Sequence, residues 1–112
     1  MSKEDLQLLR GTLDMLMLKA LADGDLHGYG VVAWIRERTN GQLEIEEGAL
    51  YTALHRMEGR RWLRSRWGIS ENNRRAKYYR ITAAGRRQLD QEDARWRSYA
   101  SAVFDVMGSP GE

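Results

Sequence analysis

The sequence predicts a mainly α-helical domain with one small β-hairpin and a long helix behind it. Three observations lead there. Apolar residues recur at steps of three and four through residues 6–21, 29–39 and 46–58, the period of one-sided helices. The period shortens to two over Leu63–Ile69, and a β-rich run, Lys77–Ile81, follows across a polar turn. A last helical stripe extends from Leu89 to Met107, behind a capping Thr82.

The first helix carries Leu6, Leu9, Leu13, Leu16, Ala20 and Leu21 on one face, and Asp23-Gly24-Asp25 breaks it. His27-Gly28-Tyr29-Gly30 leads into a second helix, about 29–39, with Val32 and Ile35 inward. Thr39-Asn40-Gly41 ends it, and Leu43-Glu44-Ile45 is extended. A third helix starts at Glu46 or Glu47, where acidic side chains suit the N-terminal dipole. Its buried face is Leu50, Ala53, Leu54 and Met57. Leu63–Ile69 is a strand with one buried face, and Arg64 and Arg66 on the other. Ser70–Arg75 is the turn, and Tyr79, in phase with Ile81, points to the core while Tyr78 is half exposed. The last helix places Leu89, Trp96, Ala100, Val103 and Met107 on one face, with Phe104 beside it, and Gly108-Ser109-Pro110-Gly111 stops it.

The chain has 112 residues and no Cys, so disulfides and thiolate zinc sites are excluded and a reducing compartment is expected. A core from so short a chain is small, which favours burial against a second subunit. No apolar run approaches the roughly 20 residues of a membrane span. Met1–Asp5 lacks the basic-then-apolar pattern of a signal peptide, so a cytoplasmic protein is expected. The net charge of +2 conceals an asymmetry. Residues 55–88 carry eleven Lys and Arg against Glu58 and Glu71, a local +9, and the rest of the chain carries −7. A block of Arg interleaved with Trp62, Trp67, Tyr78 and Tyr79 fits a polyanion better than a merely solvated surface.

Three helices followed by a two-stranded wing make a winged helix-turn-helix. In that arrangement the third helix enters the DNA major groove and the hairpin lies on the adjoining backbone or minor groove. Gly48 and Ala49 allow close approach near the helix N-terminus, and Tyr51, Thr52, His55 and Arg56 supply donors. Asn73, Arg74, Arg75 and Lys77 arm the wing. Tyr51 is read as a DNA contact because Leu50 and Leu54 already fill the core face. His27 is read as joining helices and His55 as a phosphate contact. Two isolated His do not make a metal site, so no metal or cofactor is expected. Arg86 and Arg87 are read as solvated.

Three segments then resemble the PadR family of transcription regulators. They are Leu9-Arg10-Gly11-Thr12-Leu13-Asp14 with His27-Gly28-Tyr29-Gly30, Glu47–Glu58, and Arg74–Thr82 with Gly85. The likeness spans Leu8 to about Met107. It implies a homodimeric repressor whose last helix packs on the partner's N-terminal region, and DNA contacts from Tyr51, Arg74, Arg75 and Lys77. Two positions depart from the pattern. Thr52 stands where many relatives have Pro, and Arg61 where a Gly often ends the recognition helix, so Gly59 is the expected substitute.

The expected organisation is a DNA-binding domain over 1–81, a dimerisation helix over 82–107 and a flexible tail over 108–112. Leu6, Leu9, Leu89, Trp96, Ala100, Val103 and Met107 are assigned to the dimer interface. Trp96 carries a second reading, because two symmetry-related indoles would present flat faces to a small aromatic effector. The expected function is a sequence-specific regulator, a repressor relieved by a small molecule or other signal, on a pseudo-palindromic double-stranded operator. The rival is a winged-helix module that binds protein, and a gel shift separates the two. With no Cys, two isolated His, no phosphate-cradling Gly loop and no paired-carboxylate signal in an apolar setting, no enzyme is expected.

Overall fold

In a computed structural model, residues 12–109 are described. They form α1 (Leu13–Ala20), β1 (Leu26–His27), α2 (Gly28–Arg38), α3 (Glu47–Gly59), β2 (Leu63–Ile69), β3 (Arg75–Ile81) and α4 (Ala83–Met107). The expected interface residues Leu6 and Leu9 and the tail from Pro110 lie outside the described residues. Three helices enclose one core with the base of the sheet. Met17, Leu18, Leu21, Val31, Ile35, Leu50, Leu54, Met57, Leu63, Tyr79 and Ile81 are all buried. The anticipated face of α3 is confirmed in full. On α2, Ile35 is buried as expected, but Val31 joins it in the core and Val32 sits at the margin, on a face that starts at the buried Gly28.

The sheet has three antiparallel strands in the order β1-β3-β2. β1, which the sequence suggested was a link, pairs Leu26 with Tyr79 and His27 with Tyr78. Two residues are too short to show a period. On β2 the expected buried face holds only at its base. Leu63 is buried, but Trp67 and Ile69 are 59% and 65% exposed. The alternation is intact, since Leu63, Ser65, Trp67 and Ile69 face Ile81, Tyr79, Lys77 and Arg75 across the ladder. The hairpin simply outruns the helices that cover its base.

α3 ends in a six-to-one turn. Trp62 N–H donates to Met57 O and Arg61 N–H to Glu58 O, both at 3.0 Å. This corrects the expectation for Gly59, which remains helical, while Arg61 takes the left-handed conformation at φ +63°. Thr82 caps α4 as anticipated: its Oγ1 accepts from Gly85 N–H at 3.0 Å and donates to Arg61 O at 2.7 Å. A Cβ on Gly85 would strike the Trp62 carbonyl oxygen, so glycine permits the helix to sit directly on the α3–β2 connection. The first turns of α4 pack on α1 and β3, with Leu89 against the core margin. From Ala94 onward every described residue of α4 except Ala100 is exposed.

Candidate nucleic-acid interface

The outer face of α3 follows from its inner one. With Leu50, Ala53, Leu54 and Met57 inward, Gly48, Tyr51, Thr52 and His55 fall together on the exposed side. Ala49 is half-buried. Tyr51 is tethered as well as exposed. Its ring lies on Gly28, where a Cβ would come within 2.9 Å of the phenol oxygen. Partial burial pushes the Tyr51 phenol up from its ordinary value, with smaller contributions from Tyr29 and Glu47. At neutral pH it therefore remains a protonated donor.

Arg56 is placed differently from the other α3 candidates. Its guanidinium grips Asp14 of α1 through two parallel bonds, Nη1–Oδ2 at 2.5 Å and Nη2–Oδ1 at 2.8 Å. The Asp14 hydrogen bond raises the Arg56 pKa further, so it is permanently charged. Its fork is engaged in fixing α3 against α1.

The wing is set by acids that the sequence reading did not single out. Glu58, near the end of α3, accepts from Ser65 Oγ on β2 and from Lys77 Nζ on β3, the latter at 3.2 Å. The Ser65 bond is the main reason its carboxyl lies below the usual carboxylate range, with Lys77 adding to it and burial opposing. Asp25 accepts from Arg80 Nε at 3.1 Å and lies 3.5 Å from Arg66 Nη2, holding the opposite face of the hairpin. His27 caps α2 by accepting from Gly30 N–H through Nδ1 at 3.0 Å. Its Nε2 is 3.5 Å from Glu71 in the wing turn. Because Nδ1 accepts, the Nε2 proton is the one directed at Glu71.

These ties sort the +9 block. Arg56, Arg66, Lys77 and Arg80 are paired with carboxylates, and Arg86 donates to Ala22 O. Among the described residues Arg74 makes no ion pair, and Arg75 lies 4.6 Å over the Trp67 ring. Both are exposed, beside Asn73, whose φ of +59° closes the turn. The wing arginines and the Tyr51 face of α3 border one cleft of about 510 Å³, also lined by Gly28, Tyr29, Trp67 and Tyr79. Lys77 reaches this cleft as well, but with its charge matched by Glu58. Trp67 and Tyr29 were not among the expected contacts. Their signal was an aromatic with no core position to fill, which a sequence reveals only after register is known.

The proposed subunit face lies elsewhere. Trp96, Val103 and Met107 are exposed on α4, Ala100 is half-buried among them, and Trp96 and Tyr99 rings stand 6.2 Å apart. Leu89 is engaged with its own core. No described helix is long and apolar enough to cross a membrane.

Residues 17–91 match the model for the "Transcriptional regulator PadR-like family". A transcriptional regulator from Clostridium thermocellum is similar over 95% of this chain and 99% of its own, at 30% identity and a TM-score of 0.77. A padr family transcriptional regulator from Eggerthella lenta is similar over 95% and 90%, at 31% identity and a TM-score of 0.78. A Lysinibacillus sphaericus protein without assigned function is 32% identical over 80% of this chain and 82% of its own.

Proposed function

The chain belongs to the PadR-like family of transcriptional regulators, and from that premise we propose that it is a homodimeric, cytoplasmic, DNA-binding repressor. Residues 1–81 read the operator and residues 82–107 join two subunits. The observation that carries this reading is the pairing of two surfaces across one cleft. Tyr51, from the exposed face of α3 that also carries Gly48, Thr52 and His55, lines the cleft, and so do the unmatched wing arginines Arg74 and Arg75.

α3 would enter the major groove, with Gly48 and Ala49 letting its backbone approach and Thr52 and His55 meeting base edges or phosphates. The wing supplies sequence-independent affinity through phosphates, which makes binding strongly salt-dependent. The exposed stripe of α4 supports the dimer, because a helix with Trp96, Val103, Phe104 and Met107 on one side leaves an apolar surface in water. A two-fold dimer on a pseudo-palindrome follows, with half-sites about 10 bp or a multiple apart. Relief of repression is assigned to a small aromatic effector between the two Trp96 indoles, which predicts quenching of Trp96 fluorescence that Trp96→Ala abolishes.

The test is a gel shift with DNA from upstream of the protein's own gene. Wild type should retard it, with affinity falling steeply between about 50 and 200 mM salt. The Arg74→Glu/Arg75→Glu protein should lose binding by more than about 100-fold with its circular dichroism unchanged. Retained affinity in that protein would remove the wing from the interface.

A further inference from the structure

The exposed large hydrophobic side chains of the described residues fall into two patches. Trp96, Tyr99, Val103, Phe104, Val106 and Met107 lie on α4, where a second subunit would cover them. The others are Tyr29, Tyr51, Trp67 and Ile69, with exposures of 71%, 42%, 59% and 65%. They belong to the expected DNA-binding half, and none of them is part of the buried core. Trp67 stands on the core-directed face of β2, two ladder steps past the last buried pair, and lines the cleft opposite Tyr51.

The shape of duplex DNA bears on this cleft. One sugar–phosphate strand forms the wall between a major groove and the neighbouring minor groove. With α3 in the first and the wing tip at the second, that strand must run between them. Its chemistry alternates apolar deoxyribose faces with anionic phosphates. The cleft offers the same two components: aromatic rings from Trp67, Tyr29 and Tyr51, and free cations from Arg74 and Arg75. Lys77 is matched by Glu58, and of the remaining charges that line the cleft Arg74 and Arg75 outnumber Glu71, so the net charge presented is positive.

We propose that this cleft seats one sugar–phosphate strand of duplex DNA, with Trp67 packed on a deoxyribose and Arg75, steadied over the Trp67 ring, on the adjoining phosphate. The proposal rests on the DNA-binding reading above and adds contacts the charge pattern did not mark. Such a contact is blind to base identity. Trp67 therefore sets affinity for any duplex, while the outer face of α3 sets the choice among them.

The protein labelled with 5-fluorotryptophan has four indoles and gives one fluorine resonance for each, with that of Trp67 identified by its loss in Trp67→Phe. On titration with the retarded duplex, the Trp67 resonance should shift and lose its H₂O/D₂O solvent effect. Trp34, on α2 beneath Arg38, should hold its position. Trp67→Ala should weaken operator and unrelated duplexes alike by roughly tenfold, with Trp67→Phe restoring most of it. Arg75→Ala should lower the salt slope by about one. A Trp67 resonance still solvent-sensitive in a saturated complex, or a Trp67→Ala loss confined to one sequence, overturns the proposal while leaving DNA binding standing. If wild type retards no duplex at all, the DNA reading falls and this proposal with it.

Discussion

Arg61 shows how much one backbone angle can matter. It occupies the left-handed position that completes the six-to-one turn after α3, a conformation that costs a residue with a Cβ about 1–2 kcal/mol. The turn is kept because it directs Trp62 and β2 back under the helix, and Thr82 reinforces it by donating to the Arg61 carbonyl. Arg61→Gly should relieve the strain without disturbing those backbone bonds. The expected gain is about 0.5–1 kcal/mol, less than the strain itself because glycine loses more freedom on folding. Urea unfolding at a fixed protein concentration measures it. A loss of stability would mean that the Arg61 side chain contributes something the backbone argument omits. Gly85 is the opposite case, a position where glycine is demanded by a carbonyl rather than by φ.

At the scale of elements, the wing is a lever whose angle to α3 is held by Glu58. Both strands donate to that one carboxylate, Ser65 from β2 and Lys77 from β3. The folded pKa is lowered, so the ionised group stabilises the folded state. That contribution is complete above the usual value for Glu, about 4.3. It is lost as pH falls through the lower folded value. Glu58→Gln should therefore destabilise the protein by up to about 1 kcal/mol at neutral pH, a half-exposed tie being partly screened. The difference from wild type should stay constant between pH 6 and 8 and shrink below roughly pH 4.3. Urea midpoints across that range check it, and a difference independent of pH would show that the tie does not depend on the carboxylate's charge.

Across the whole molecule, the exposed surface has two distinct regions. The unmatched wing arginines Arg74 and Arg75 stand beside exposed aromatics at one end, and a second exposed apolar surface lies on the outer half of α4. The described chain measures 49 × 29 × 22 Å, elongated for its size. This shape suits the proposed dimer, since the part of α4 from Ala94 onward gains little from projecting alone into water. Val103→Asp with Phe104→Asp should give a monomer by sedimentation with circular dichroism of the core retained. Operator affinity should drop by at least about 100-fold, because one half-site then binds without the other. A double variant that still sediments as a dimer would place the subunit contact away from this stripe.

The amino-acid sequence by itself determined the helices, the hairpin and the inward face of α3, because those follow from periodicity and from a few capping residues, whereas Met17, Leu18 and Val31 entered the core from outside the expected stripes. Leu50, Ala53, Leu54 and Met57 had to share a face of α3 whatever surrounded them, and Thr82 had to begin α4. The sequence also marked the basic block. What it left undecided was which of those cations are free, because Asp14, Asp25 and Glu58 meet Arg56, Arg80 and Lys77 only after the chain returns on itself. The same holds for β1, two residues that become a strand only beside Tyr78 and Tyr79. It holds too for Trp67, whose alternation matched that of a core residue and whose exposure depends on where the helices stop covering the sheet. Local order is set by contacts within a few residues. The cleft is set by pairings between groups 19 to 55 residues apart, and those exist only in the folded molecule.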